Sequence, residues 1–328
     1  MRDGGAALPR LTILGAIHAD AMALLQARPD VEVNVVAEAL APRDRIAEAI
    51  AGTNAIVVRT AKLDAELLAS APDLKIVSRH GVGCDSVDVA WMSAQGLPVA
   101  ITVGGNDRSV AEHALGMMLG LAKDFERQTD FTRRSDWSVR ETHRGFDLEG
   151  RVLLILGHGR IGSRTAELAL AFGMEVLAYD PYVDTYPPGV TRVTDLGQGL
   201  GRADIVSIHV PKYAETTPLV GAAQVAAMKP GAILINCARG GIADEVAVAG
   251  ALRSGHLGGY GCDVYAEEPA GRDNPILSAP NTILTPHSAA MTPQGMRRMG
   301  MISAQNALDC LDGRLNPDMI FNRKELGL

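Results

Sequence analysis

Three observations predict an α/β fold with two doubly wound parallel-sheet domains. Short β-rich runs alternate with helical stretches along nearly the whole chain. Several of these runs, such as AIVV (55–58) and VLLIL (152–156), are apolar on both faces, as strands of a parallel sheet covered by helices on both sides must be. The alternation occurs twice, and 328 residues is about the length of two average domains.

In order, LTILGAI (11–17), VEVNVV (31–36), AIVV (55–58), LKIVS (74–78) and PVAI (98–101) read as strands. The segments between them, such as DAMALLQAR, PRDRIAEAIAG and LDAELLASA, carry apolar residues at helical spacing. From Asp107 to about Asp124 the alternation breaks. SVAEHALGMMLGLAK is apolar nearly all round, so it is a helix buried on several sides, either central to one domain or between domains or subunits. The charged stretch RQTDFTRRSDWSVRETHRGFDLEG follows and reads as exposed connection. The pattern then restarts with VLLIL (152–156), EVLAY (175–179), DIVSIHV (204–210), AILIN (232–236), GYGCDV (259–264) and TILT (282–285). No internal repeat is visible.

Composition narrows the function class. With 47% apolar and 21% charged residues the chain can bury enough surface to offset its ordering entropy, which excludes disorder as the main state. A net charge of −7 argues against nucleic acid as a main partner but leaves small anionic substrates open, since a few arginines bind those locally. Cys84, Cys237, Cys262 and Cys310 are scattered with no C-x-x-C pair and no metal-ligand spacing, so reduced, packed thiols and no metal are expected. MRDGGAALPRLTILG does not read as a secretory signal, and no apolar run approaches the roughly 20 residues of a membrane helix. A cytoplasmic protein without membrane partners is the expectation.

The most specific local signal is VLLILGHGRIGSRTAELALAFG (152–173). A buried strand runs into Gly157-His158-Gly159-Arg160-Ile161-Gly162, and a helix pattern follows. Gly157 permits the tight turn, Gly159 lets backbone amides approach a pyrophosphate at the helix N-terminus, and Gly162 lets helix and strand pack closely. The next strand ends at Asp180, 18 residues beyond Gly162, where a carboxylate can accept both ribose hydroxyls. Its charge repels a ribose 2′-phosphate, and Pro181-Tyr182 follow with no compensating Arg. A Rossmann NAD-binding domain is therefore expected, with NAD favoured over NADP.

Five further motifs flank this one in a fixed order. SRHGVGCDSVD (78–88) and NDRSVAEHALGMML (106–119) precede it, and NCARGGIADEVAV (236–248), DVYAEEP (263–269) and LTPHSAAMT (284–292) follow. Over essentially its whole length the chain resembles the D-isomer-specific 2-hydroxyacid dehydrogenases, most closely the phosphoglycerate dehydrogenase and hydroxypyruvate reductase branches. The resemblance implies a flavodoxin-like substrate domain from residues 1–103 and 287–328, and an NAD-binding domain from 104–286. It also implies a homodimer formed through the helix after Asp107. The chain read here stops at Leu328, soon after the substrate domain should close. The C-terminal regulatory module of some phosphoglycerate dehydrogenases is therefore not expected, and Gln294 stands where many members have an acidic residue.

Reducing a 2-keto acid needs a proton donor, a cation on the carbonyl and carboxylate, and a group that aims the donor. The resemblance implies His287, Arg239 and Glu268 in these roles. Histidine suits acid–base exchange because its unperturbed pKa of ~6.5 lies near working pH. A carboxylate at Glu268, next to Pro269, favours the charged imidazole and fixes its orientation. A guanidinium at Arg239 makes forked contacts to a carboxylate and steadies charge developing on the carbonyl oxygen. The resemblance also places Asp263 at the nicotinamide carboxamide and Cys237-Ala238 beside the nicotinamide. It completes the cofactor set with His209, Pro211 and Ser288. Cys237 has no base beside it and reads as a packed thiol, His113 as packing on its helix, and His158 as the filler of a variable slot.

For the substrate, the amides of Gly81-Val82-Gly83 can cradle a carboxylate. The resemblance adds contacts around Arg59-Thr60, with Arg79 and His80 close by in sequence. His80 stands where the family varies, which leaves it either exposed or tuning specificity. This cluster suits a substrate with a phosphate, sulfonate or second carboxylate, and hydroxypyruvate also remains open. Two other readings keep the same fold. One is a non-enzymatic NAD-sensing corepressor. The other is a phosphite or formate dehydrogenase, although formate enzymes commonly carry Gln where Glu268 stands.

Overall fold

The computed structural model describes residues 7–38, 41–142 and 145–328. The first six residues of the N-terminal stretch, and His143 and Arg144 of the charged connection, lie outside the described residues. In chain order the first elements are β1 (Arg10–Leu14), α1 (Ala19–Gln26), β2 (Glu32–Val36), α2 (Arg43–Ile50), β3 (Ala55–Val58), α3 (Ala65–Ala69), β4 (Ile76–Arg79), α4 (Val89–Ala94) and β5 (Val99–Ala100). Next come α5 (Asp107–Ala122), α6 (Phe125–Arg133), α7 (Val139–Thr142), β6 (Val152–Leu156), α8 (Arg160–Ala171), β7 (Glu175–Tyr179), β8 (Val190–Arg192), α9 (Leu196–Arg202) and β9 (Ile205–Ile208). The last are α10 (Ala222–Ala227), β10 (Ala232–Asn236), α11 (Glu245–Ser254), β11 (Leu257–Cys262), β12 (Thr282–Leu284) and α12 (Pro293–Leu311).

The chain divides into two units, one of residues up to Asn106 together with Met291–Leu328, the other Asp107–Ala290. The first unit is a five-stranded sheet in the order β2-β1-β3-β4-β5, parallel throughout. Alternate side chains feed two cores. Leu11, Ile13, Ala55 and Val57 join Leu308 and its neighbours of α12 on one face, and Leu14, Ile56 and Val58 join Ile46, Leu68 and Met92 on the other. The C-terminal tail belongs to this unit because it is bonded to it: Ile101 N–H donates to the Met319 carbonyl at 2.8 Å, and Phe321 N–H to the Val99 carbonyl at 2.8 Å.

The second unit is a seven-stranded parallel sheet in the order β12-β11-β10-β9-β6-β7-β8. On β6, Leu154 and Leu156 enter one core while Leu153 and Ile155 enter the other, the period-2 alternation of a strand covered on both faces. The α5 helix packs on α8 and on β10, β11 and β12. Its buried residues run from Ser109 to Ala122, as its nearly all-round apolarity requires. Every strand expected from the sequence is present. The short edge strand β8 was not foreseen, because VTR carries no apolar alternation. The charged connection is also more regular than expected: it forms α6, which buries none of its residues, and α7.

Candidate active site

In each unit the strand order reverses direction at one place, and ligands of open α/β sheets bind at the carboxyl ends of the strands there. In the second unit the reversal lies between β6 and β9. Gly157 follows β6 at φ +92°, and a Cβ on it would lie 2.9 Å from the His209 carbonyl carbon that follows β9. Only glycine fits such a turn. A Cβ on Gly162 would fall 2.0 Å from the Gly157 oxygen, so the loop and α8 pack backbone to backbone. Gly159 caps α8 with no side-chain hydrogen bond, and nothing lies within 4 Å of its Cβ position. The first turn of α8, at Arg160 and Ile161, thus carries no side-chain cap and the space beside Gly159 is open, as an anion cradle needs.

Asp180 follows β7. Its Oδ2 accepts the His158 N–H at 2.8 Å, and its Oδ1 accepts the Tyr182 N–H at 2.9 Å. A carboxylate oxygen has a second lone pair, so each retains one for a ribose hydroxyl. His158 is a structural part of the loop. Its ring lies 4.9 Å from that of Tyr186, and its Nδ1 is 3.2 Å from Ser163 Oγ. Burial pushes it below the ordinary imidazole range. Tyr186, which sequence reasoning missed, donates its hydroxyl to the Asp180 carbonyl at 3.3 Å. His209 pairs through Nε2 with Ser207 Oγ at 2.9 Å, and burial pushes it down to about 4, leaving a neutral ring at the reversal point. The Pro211 carbonyl accepts the Thr216 hydroxyl at 2.7 Å.

The second cluster sits at the carboxyl ends of β10 and β11 and in the turn after β12. Asn236 is fully buried and shapes the first turn: its Oδ1 accepts Ala238 N–H at 3.1 Å, and its Nδ2 donates to the Arg239 carbonyl at 3.0 Å. Arg239 in turn donates from Nη1 to the Ala238 carbonyl at 2.7 Å. A Cβ on Gly240 would lie 1.7 Å from the Tyr265 oxygen, so the Arg239 turn is pressed against the loop that carries Glu268. Glu268 lies in that loop, beyond the end of β11 at Cys262. Its Oε2 is 2.7 Å from His287 Nδ1, and its Oε1 accepts Tyr265 N–H at 3.0 Å. Burial acts upward on this carboxyl. The bond to His287, the Tyr265 amide and the charges of His287 and Arg239 outweigh it and hold the group below the usual range. Arg239, Glu268 and His287 are thus brought together within one unit.

His287 is held in the left-handed region at φ +53°, which costs a non-glycine residue about 1–2 kcal/mol. The buried Asp263, 1% exposed, holds it there. Its carboxylate accepts Ser288 N–H at 2.8 Å, Ala289 N–H at 3.0 Å and the Thr285 hydroxyl at 2.5 Å, while its carbonyl accepts His287 N–H at 2.7 Å. Asp263, which the resemblance places at the nicotinamide carboxamide, thus also organises the turn that holds His287, and Ser288 contributes its amide to that turn. Cys237 touches Met117 sulfur at 3.8 Å, and burial beside the Asp263 charge pushes its thiol well up, as for a packed, unreactive group.

In the first unit the strand order reverses between β1 and β3. Arg59 follows β3, with its N–H bonded to the Leu14 carbonyl of β1 at 3.0 Å. Among the described residues its Nη2 donates to the Met291 sulfur at 3.3 Å and its Nη1 to the Ala16 carbonyl at 3.4 Å, and its buried Nε has no hydrogen-bond partner. Arg79 is used differently. Its Nε donates to the Gly83 carbonyl at 2.8 Å and its Nη1 to the Val58 and Arg59 carbonyls, which fastens the Gly81-Val82-Gly83 loop to β3. His80 is not exposed. It is 95% buried with an unpartnered Nε2, and burial together with the charges of Arg59 and Arg79 pushes it down to about 4. Among the described residues no group of three or more His, Cys, Asp or Glu could hold a metal ion, and no helix is long and apolar enough to cross a membrane.

Residues 115–289 match the family model of the D-isomer specific 2-hydroxyacid dehydrogenase, NAD binding domain. The chain is 35% identical over 315 residues to D-3-phosphoglycerate dehydrogenase of Methanocaldococcus jannaschii, covering 95% of this chain and 59% of that one. It is 37% identical over 299 residues to (S)-sulfolactate dehydrogenase of Chromohalobacter salexigens, covering 90% and 96%. The crystal structure of the TT0316 protein from Thermus thermophilus superposes with a TM-score of 0.87 at 32% identity, covering 95% of this chain and 99% of that one. The chain spans little more than half the length of the phosphoglycerate dehydrogenases it matches. The dinucleotide loop, the acidic residue after β7 and the family match agree: the chain belongs to the D-isomer specific 2-hydroxyacid dehydrogenases, and its second unit is the family's NAD-binding domain.

Proposed function

We propose that this protein interconverts a D-2-hydroxy acid and its 2-keto acid with NAD, on a substrate bearing a second anionic group. The observation that carries the reading is the Glu268–His287 bond of 2.7 Å with the Arg239 charge beside it. Bound NAD supplies or takes up the hydride. His287 gives a proton from its Nε2 to the forming alkoxide during reduction and takes it back during oxidation, while Nδ1 stays on Glu268. Arg239 grips the carboxylate and steadies the oxygen on which charge develops. The Gly157–Gly162 loop would receive the pyrophosphate and Asp180 the ribose, with Cys237, Ala238, Asp263, His209, Pro211 and Ser288 toward the nicotinamide.

Substrate recognition is assigned to Arg59 and the Gly81-Val82-Gly83 loop of the first unit, which acts as the substrate domain. Arg59 has no acidic partner beside it in the hydrogen bonds of the described residues, and His80 next to it is neutral. Both the phosphoglycerate and the sulfolactate relatives are named for substrates with a second anionic group. Our reading takes 104–286 as the NAD-binding domain and 1–103 with 287–328 as the substrate domain, in a cytoplasmic protein; the two units divide a few residues later, at Asn106/Asp107 and Ala290/Met291, so that His287 lies with Asp263 in the second unit. The assembly is a homodimer through α5. Phe125 and Trp137, 56% and 66% exposed just beyond that helix, supply apolar surface for a second copy.

The test is NADH oxidation with phosphohydroxypyruvate, sulfopyruvate, hydroxypyruvate, glyoxylate and longer 2-keto acids, read as kcat/KM. His287→Ala should lower kcat by roughly 10²–10⁴-fold and leave NADH affinity intact. Near-normal turnover of that variant removes His287 from the mechanism. A preference for an unbranched apolar keto acid removes the anionic group.

A further inference from the structure

The sequence reads His113 as packing, but its position in α5 brings it to the catalytic turn. His113 Nε2 lies 3.0 Å from Thr285 Oγ1 and 3.9 Å from Asp263 Oδ1. A hydroxyl has one proton, and that of Thr285 goes to the Asp263 carboxylate, which can only accept. Thr285 Oγ1 must therefore accept from His113, whose Nε2 carries the hydrogen. Donors then run in one direction, from His113 to Thr285 to Asp263. The same carboxylate takes the amides of Ser288 and Ala289, and the Asp263 carbonyl takes that of His287. Tyr265 braces the other side by donating its hydroxyl to the Thr285 carbonyl at 3.2 Å. A non-glycine residue at φ +53° persists only where its surroundings over-determine it, and this chain of bonds supplies that constraint.

We propose that His113 is a positioning residue for the catalytic acid: acting through Thr285 and Asp263, it locks the left-handed turn that aims His287 at Glu268. The proposal rests on the catalytic reading of His287 and extends it to α5, where no contact with the reacting groups was expected. Hydrogen bonds in series polarise one another, so loss of the first donor is felt at the last acceptor.

The experiment compares His113→Leu, His113→Gln, Thr285→Val and the His113→Leu/Thr285→Val double variant. Two readouts are taken: steady-state kinetics with the best keto acid of the panel, and deuterium exchange of the 285–289 amides by mass spectrometry. His113→Leu should lower kcat roughly tenfold, the worth of one hydrogen bond, and leave KM and NADH affinity within about threefold. Exchange at residues 287–289 should quicken by a similar factor. His113→Gln places an amide donor near the former Nε2 and should restore most of both. Thr285→Val removes both bonds of the chain and should be at least as severe as His113→Leu, and the double variant should be no worse than Thr285→Val alone, because both substitutions break the same chain. Unchanged exchange in His113→Leu, failure of Gln to rescue, or losses that multiply in the double variant overturn the proposal. If the wild-type protein reduces no 2-keto acid, the catalytic reading falls, and the exchange measurements decide the positioning on their own.

Discussion

Replacing Gly240 by Ala probes the closest backbone approach in the catalytic cluster. The added Cβ would meet the Tyr265 oxygen at 1.7 Å and its carbonyl carbon at 1.9 Å, where real Cβ atoms essentially never come within 3.0 Å. Both partners are backbone, so no rotamer change relieves the clash. The Arg239 turn and the Glu268 loop must part by more than ~1 Å, a displacement of the kind that costs catalysis about 10²-fold. Overpacking of this sort also destabilises by about 1–3 kcal/mol, which lowers the melting temperature of a unit this size by roughly 5 °C. The nucleotide loop lies after β6, two strands away from β10, so NADH affinity should change less than about threefold. The assays are kcat/KM, NADH fluorescence titration and a thermal melt. A variant with kcat/KM within about twofold of wild type would refute the claim that this contact sets the spacing of Arg239 and Glu268.

Three further outcomes are expected. Glu268 is held below the usual carboxylate range, so whatever its ionised form contributes is present above that lowered pKa and lost as pH falls through it. Glu268→Gln should lower kcat by about 10²-fold at neutral pH and flatten the acid limb of the pH–rate profile; an unchanged limb assigns that limb elsewhere. Asp180→Ala should narrow the preference for NAD over NADP by at least ~10-fold, measured as the ratio of kcat/KM values, and an unaltered ratio removes Asp180 from cofactor selection. His80 is buried neutral with a pKa near 4, below the ~6.5 of the unfolded chain. Its contribution to stability is therefore complete above ~6.5 and falls away as pH drops toward 4. By pH ~5 this amounts to a loss on the order of 2 kcal/mol in urea melts, which His80→Asn should reduce.

The nucleotide half of the site was legible because its requirements are local. A strand, a glycine turn and a helix N-terminus are consecutive in the chain, and the acidic residue stands at the end of the very next strand, so spacing alone names Gly157, Gly159, Gly162 and Asp180. Arg239, Glu268 and His287 were named by motif. Their distances come from what presses the turns together: the Gly240–Tyr265 approach, the buried Asn236 and the four groups gathered by Asp263. Thr285, Tyr265, Tyr186 and the polar role of His113 left no signal, because a hydrogen bond across 172 positions has no periodicity to betray it. Arg79 shows the converse. It looked like one more cation for the substrate, yet its Nε is bonded to the Gly83 carbonyl of the loop and its Nη1 to the Val58 carbonyl of β3.

Read alone, the chain determined its two parallel sheets, their order of appearance and the chemistry of the dinucleotide loop, because burial pattern and turn residues act over a few neighbouring positions. Folding in three dimensions decided which side chains meet, which of them are neutral and which merely hold others in place. Those properties depend on burial and on donors arriving from distant strands, and a linear string of residues does not contain them.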